Sequence, residues 1–257
     1  MFSTRSDSPK APATDPGWRR ARLLLCAHGI RGQVGVAADH AAIIGALRLF
    51  ADVEACCLNG QPSLEEALER SVSDLTYVAP LLMAEGYTSE KLSARLVAAT
   101  AQHSAHIRLC RPVGSHPDLA KLIVGAAERT CRNHDWPVGE TALLLVGHGT
   151  TRHVKSADSL QSHADKIVAS RHFAEVGCAF LDQEPDLATA MTRIGSAQAV
   201  AVGHFADSGP HGAEDVTELL AMQSRDVAYA GAVGRDPGLV ALILDRVRQE
   251  DALILAA

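Results

Sequence analysis

An internal duplication constrains this chain more than any other feature of its sequence. Arg22-Leu-Leu-Leu-Cys-Ala-His28-Gly29 returns 120 residues later as Ala142-Leu-Leu-Leu-Val-Gly-His148-Gly149. Leu58-Asn59-Gly-Gln-Pro62 returns at 123 as Leu181-Asp182-Gln-Glu-Pro185, and Pro80–Thr88 returns at 123 as Gly203–His211. Val113-Gly-Ser-His-Pro117 returns at 120 as Val233-Gly-Arg-Asp-Pro237. Four landmarks in one order, with a small indel, define a repeated unit. Its copies differ in equipment. His28 keeps a counterpart in His148, whereas Asn59 and Thr88 become Asp182 and His211.

Each copy alternates short aliphatic runs with longer amphipathic ones, which predicts parallel strands with crossover helices. In the second copy, strands are expected at Ala142–Gly147, Val176–Leu181, Ala197–Gly203 and Val227–Val233. Helices are expected over Ser156–Arg171, Asp186–Ile194, Ala213–Gln223 and Pro237–Gln249. The reading is α/β: two similar parallel-sheet domains with a cleft between them. Residues 1–20 form an unstructured tail, 21–132 a degenerate first repeat, 133–140 a linker drawn from Cys131–Glu140, and 141–257 the equipped repeat. The tail, Met1 to Trp18, is rich in Ser, Pro, Ala and Asp and has no apolar periodicity.

Composition narrows the partners. A net charge of −6 and the absence of a basic stripe argue against nucleic acid. No apolar run approaches the roughly 20 residues of a membrane helix. Six cysteines without CxxC spacing, and no secretory leader, lead to an expectation of reduced thiols in the cytoplasm. Adjacent Cys56 and Cys57 read as small buried hydrophobes. Neither Gly-x-Ser-x-Gly nor a phosphate-binding glycine loop occurs, so serine hydrolase and nucleotide chemistry have no support.

Open parallel sheets bind ligands beyond the carboxyl ends of their strands. His148 follows the first strand of the second copy, Asp182 the second, and His211 the third. Imidazole, carboxylate and imidazole from three loops form a candidate divalent-metal site. Glu184 competes with Asp182 for the acidic role, and an Asp after a strand is also a common turn or cap residue. His204 either joins the site or points into the core. His153, His163 and His172 lie in or beside a helical stretch and are expected on the surface. Glu214 and Asp215 suit a helix start, or orient a histidine ring. Thr150, Arg152, Lys155 and Arg31 are candidate donors to an anionic substrate.

At these residues the chain resembles the class II tetrapyrrole chelatases, the sirohydrochlorin cobalto- and ferrochelatase family in its duplicated form. The signatures are Leu143-Leu-Leu-Val-Gly-His148-Gly149, Phe180-Leu-Asp-Gln-Glu-Pro185, and Gly209-Pro-His211 followed by Glu214-Asp215-Val216. The resemblance implies that Co2+, Fe2+ or Ni2+ enters as a substrate, without an organic cofactor, and that a flat tetrapyrrole lies in the cleft. It implies that His148 and His211 handle the metal, with Asp182 where relatives usually carry Glu. This chain departs from the family in keeping its equipped copy second. The competing expectation is a non-catalytic tetrapyrrole or metal carrier descended from a chelatase. A periplasmic-type metal-binding protein, also two α/β halves around a cleft, lacks the leader it would need.

Overall fold

The structure, a computed structural model, describes residues 17–70, 73–100, 106–149, 155–209, 216–223 and 225–255. In the first half run β1 (Arg22–Ala27), α1 (Val36–Ala46), β2 (Asp52–Cys57), α2 (Leu64–Glu69), β3 (Leu75–Leu81), α3 (Tyr87–Thr100), β4 (His106–Leu109) and α4 (Leu119–Asn133). The second half repeats them as β5 (Ala142–Gly147), α5 (Lys155–Ser170), β6 (Glu175–Phe180), α6 (Leu187–Arg193), β7 (Gln198–Gly203), α7 (Val216–Ala221), β8 (Asp226–Ala232) and α8 (Leu239–Leu255). The sheets are β2-β1-β3-β4 and β6-β5-β7-β8, and every strand pairing is parallel. In each sheet the chain order reverses beside the first strand of its half, where the histidine-bearing loop leaves.

The aliphatic runs are buried on both faces because helices cover both. Side chains along β1 and β5 alternate between two cores. Leu24 and Cys26 pack outward with Leu64, Leu68, Leu92 and Leu96 of α2 and α3. Leu144 and Val146 pack outward with Leu187, Met191, Val216 and Leu220 of α6 and α7. Leu23 and Leu25 face the same central core as Leu143 and Leu145, together with residues of α1, α4, α5 and α8. One hydrophobic core therefore joins the two sheets.

The closing helices cross over between halves. Helix α4 packs on β7, β8 and α5, while α8 packs on β3 and α1. Arg129 of α4 pairs with Asp236 at 2.5 Å, and Asp251 of α8 pairs with Arg108 at 2.8 Å. This crossing explains why α8 runs to Leu255, beyond the expected Gln249: Asp251 also takes the Tyr77 hydroxyl and the Trp18 indole N–H. Trp18, expected in the tail, is buried and stacks on Phe50 at 4.9 Å. It seals the bottom of the first sheet.

Two shared turns set the strand ends near the cleft. Ser63 and Glu66 cap α2 reciprocally, with Ser63 N donating to Glu66 Oε2 at 2.8 Å. Asp186 caps α6 by accepting from Thr189 N at 2.7 Å. The Leu-x-x-x-Pro landmark is thus the entrance to a capped helix in both halves. All six cysteines are free, and Cys56 and Cys57 are buried as expected. Among the described residues, no helix is long and apolar enough to cross a membrane.

Candidate active site

The first strand of each half ends in His-Gly for a steric reason. Gly149 has φ +72°, and a Cβ there would lie 2.6 Å from Gln183 Cγ and 2.9 Å from Phe180 Cβ. Gly29 has φ +97°, and its Cβ would meet the Asn59 carbonyl oxygen at 2.3 Å. Only glycine lets this loop fold against the next strand's loop. The two loops are then stitched together: Asp182 N donates to His148 O at 2.9 Å, and Asn59 N to His28 O at 3.0 Å.

The stitching brings the side chains together. His148 Nδ1 lies 3.2 Å from Asp182 Oδ2, with both residues well exposed. At such exposure the pair adds little stability, so its consequence is orientation of the ring. In the first half the matching pair is His28 Nε2 and Asn59 Nδ2 at 3.5 Å, and Lys91 Nζ donates to Asn59 Oδ1 at 3.1 Å. The Asn59 side chain accepts from an ammonium where Asp182 presents a carboxylate.

His28 and His148 line one cleft of about 920 Å³ between the halves. Arg31, Glu85 and Thr88 line it from the first half, and Asp182, His204 and Asp207 from the second. Burial, Lys91 and His148 together hold the His28 pKa below its ordinary value. The volume lies near the upper end of the range for small-molecule sites, enough for a flat macrocycle.

The sequence-predicted residues divide clearly. His148, Asp182 and Arg31 share the cleft. Glu184 is exposed beside it, not among its lining residues, and accepts from Asp186 N at 3.3 Å. His211, Thr150, Arg152, Glu214, Asp215 and His153 lie outside the described residues, as does the side chain of Lys155. Among the described residues, no group of three or more His, Cys, Asp or Glu is arranged to hold a metal. Of the candidate metal-handling residues, the described ones that line the cleft are therefore His148 and Asp182.

One histidine corrects the expectations. His163 is buried rather than on the surface, because α5 faces the other half and its Nε2 meets Gly114 O at 2.7 Å. His204 is also buried, at the cleft's inner wall, its ring centroid 5.5 Å from that of His163. Burial drives the His204 pKa down to about 3. His172 is exposed as expected and pairs with Glu128 at 2.5 Å. Sequence reading missed Asp207, whose repeat counterpart is Ala84. Its Oδ2 accepts the first N–H of α1, Val36 N, at 2.7 Å, while Oδ1 pairs with Arg235. No local pattern reveals this, since the helix it caps belongs to the other half.

Comparison with known proteins decides the family. The CbiX family matches residues 22–130 and again residues 142–250. The chain belongs to the CbiX family. The doubled match coincides with the duplication, and it bears out the resemblance to class II chelatases. The chain is 27% identical over 268 residues to a probable sirohydrochlorin cobaltochelatase of Halobacterium salinarum, covering 90% of this chain and 91% of that one. Its fold is similar to that of CbiX, described as the terminal enzyme of siroheme biosynthesis in denitrifying bacteria. The TM-score there is 0.71 at 24% identity, over 89% of this chain and 98% of the other. It is also similar to DR2241 of Deinococcus radiodurans, a multi-domain protein with structural similarity to chelatases. That match has a TM-score of 0.75 at 22% identity and covers 88% of this chain. The chain spans about half of DR2241, 54% of its length.

Proposed function

We propose that this CbiX-family protein is a sirohydrochlorin chelatase, inserting Co2+ or Fe2+ into the macrocycle in the second half's side of the cleft. One observation carries the reading: the His148–Asp182 pair stands at the carboxyl edge of its sheet, facing a cleft of macrocycle size. Membership of the CbiX family and the similarity to a probable cobaltochelatase support it.

Insertion needs a divalent ion held in an open site, a flat ligand brought to it, and acceptors for the two pyrrole protons. Asp182 engages Nδ1 of His148, so the ring would meet the ion through Nε2, with His211 as its partner. Imidazole suits both holding the metal and taking protons, because its ordinary pKa lies near neutrality. Asp182 would lend negative charge to the arriving cation. Glu184 would act from outside the cleft wall. Arg31, together with Thr150, Arg152 and Lys155 of the second half, would bind the macrocycle's carboxylates. The low ligand count suits a metal that must leave with the product.

The test is an absorbance assay of the purified chain with sirohydrochlorin and Co2+, Fe2+ or Ni2+ in turn. More than one metallated product per chain establishes catalysis. A yield that stops at one per chain in every case would assign the protein as a carrier.

A further inference from the structure

The residues matched around His28 and His148 differ in charge between the two halves. At matched repeat positions the second half has His148, Asp182, His211 and Glu214, and the first has His28, Asn59, Thr88 and Lys91. Two carboxylates have become an amide and an ammonium. The change is built into the structure: Lys91 Nζ holds Asn59 Oδ1 at 3.1 Å, which turns the amide N–H2 toward His28 Nε2 at 3.5 Å. Arg31 and Thr88 line the same side of the cleft. The acid there, Glu85, is already held by Arg111 at 2.7 Å and by Ser115 at 3.3 Å. The chain as a whole carries a net charge of −6, so a cationic edge is a local construction rather than a reflection of overall composition.

Resting on the chelatase reading, we propose that the first half's edge is an anion subsite, in which Lys91, Asn59, His28 and Arg31 take a carboxylate arm of the tetrapyrrole. The duplicated metal edge has been converted from attracting a cation to attracting the substrate's anionic periphery. One half then presents the metal, and the other fixes the ring in the cleft between them. A second cation on this edge would meet an ammonium instead of a carboxylate, so each chain handles one metal at a time.

The probe is uroporphyrin, a stable octacarboxylic tetrapyrrole, titrated without metal into the full-length chain and followed by its fluorescence. K91E should weaken binding about tenfold or more at low ionic strength, K91A less. The gap should narrow as salt screens the charge, which lost packing alone would not produce. Thermal unfolding of both variants should match the parent, because Lys91 is partly exposed on its helix. If the parent binds uroporphyrin and both variants bind it equally well at low salt, the subsite is wrong and the chelatase reading stands. If the parent does not bind this ring at all, the subsite falls, while the chelatase reading is decided separately by turnover with sirohydrochlorin.

Discussion

Nε2 of His163, on the first helix of the second half, lies 2.7 Å from the Gly114 carbonyl oxygen of the first half. Its repeat counterpart does the reverse: His40 Nε2, on α1, meets Gly234 O at 2.8 Å. A carbonyl only accepts, so each ring donates through Nε2–H, and each buried Nδ1 lacks a partner among the described residues. The two bonds form a reciprocal brace between the halves. Replacing His40 or His163 by Ala should cost about 1–3 kcal/mol each, the range for stranding a buried polar group. Urea unfolding measures this; a loss below about 0.5 kcal/mol in both variants would reject the brace.

Acid should loosen the same contact between the halves. The folded pKa of His204 is depressed to about 3 and that of His163 is also lowered, so the unfolded chain binds these protons first. Stability is then intact above the unfolded value near 6.5 and declines as pH falls toward the folded values. The slope is about 1.4 kcal/mol per pH unit per group. Replacing His204 by Leu, the residue at the matching position Leu81, should flatten this decline. Melting temperatures between pH 7 and pH 5 provide the measure, and equal slopes in parent and variant would refute it.

His148→Ala should lower metal insertion by at least about 100-fold while leaving the melting temperature within a few degrees, since the ring is half exposed. Initial rates by absorbance decide. Retained activity would remove this residue from the metal site.

Asp182→Asn preserves a polar contact to His148 and removes the charge. Metal affinity or rate should fall by roughly 10- to 100-fold, the usual effect of losing a carboxylate that orients a ligating histidine. Cobalt titration of the parent and variant separates binding from turnover. An unchanged affinity together with an unchanged rate would leave the carboxylate without a role.

Gly149→Ala should damage both fold and activity. The backbone there has φ +72°, and the added methyl would overlap Gln183 and Phe180. A cost of about 1–3 kcal/mol is expected. Unchanged unfolding would mean that the His-Gly loop tolerates a side chain.

Much of the architecture was legible because periodicity is local. Eight apolar runs at repeating spacing specify parallel strands, and the matched landmarks place His148 and Asp182 at neighbouring strand ends. The structure agrees in all four second-half strands to within about one residue at either end. His163 was misread for a plain reason: helical spacing identifies a face but not what that face meets. Glu184 is no further from Asp182 in sequence than a turn, yet its carboxylate accepts from Asp186 N and lies outside the cleft lining.

By itself the sequence determined the duplication, the strand-helix order, and the loss of acid and imidazole from the first copy. Those depend on residue type and spacing along the chain. Tertiary structure alone decided the crossed helices α4 and α8, the reciprocal histidine brace, the capping of α1 by Asp207, and the contact from Lys91 to Asn59. Each joins residues far apart in the chain, and only the packing of two sheets on one core brings such partners within hydrogen-bond reach.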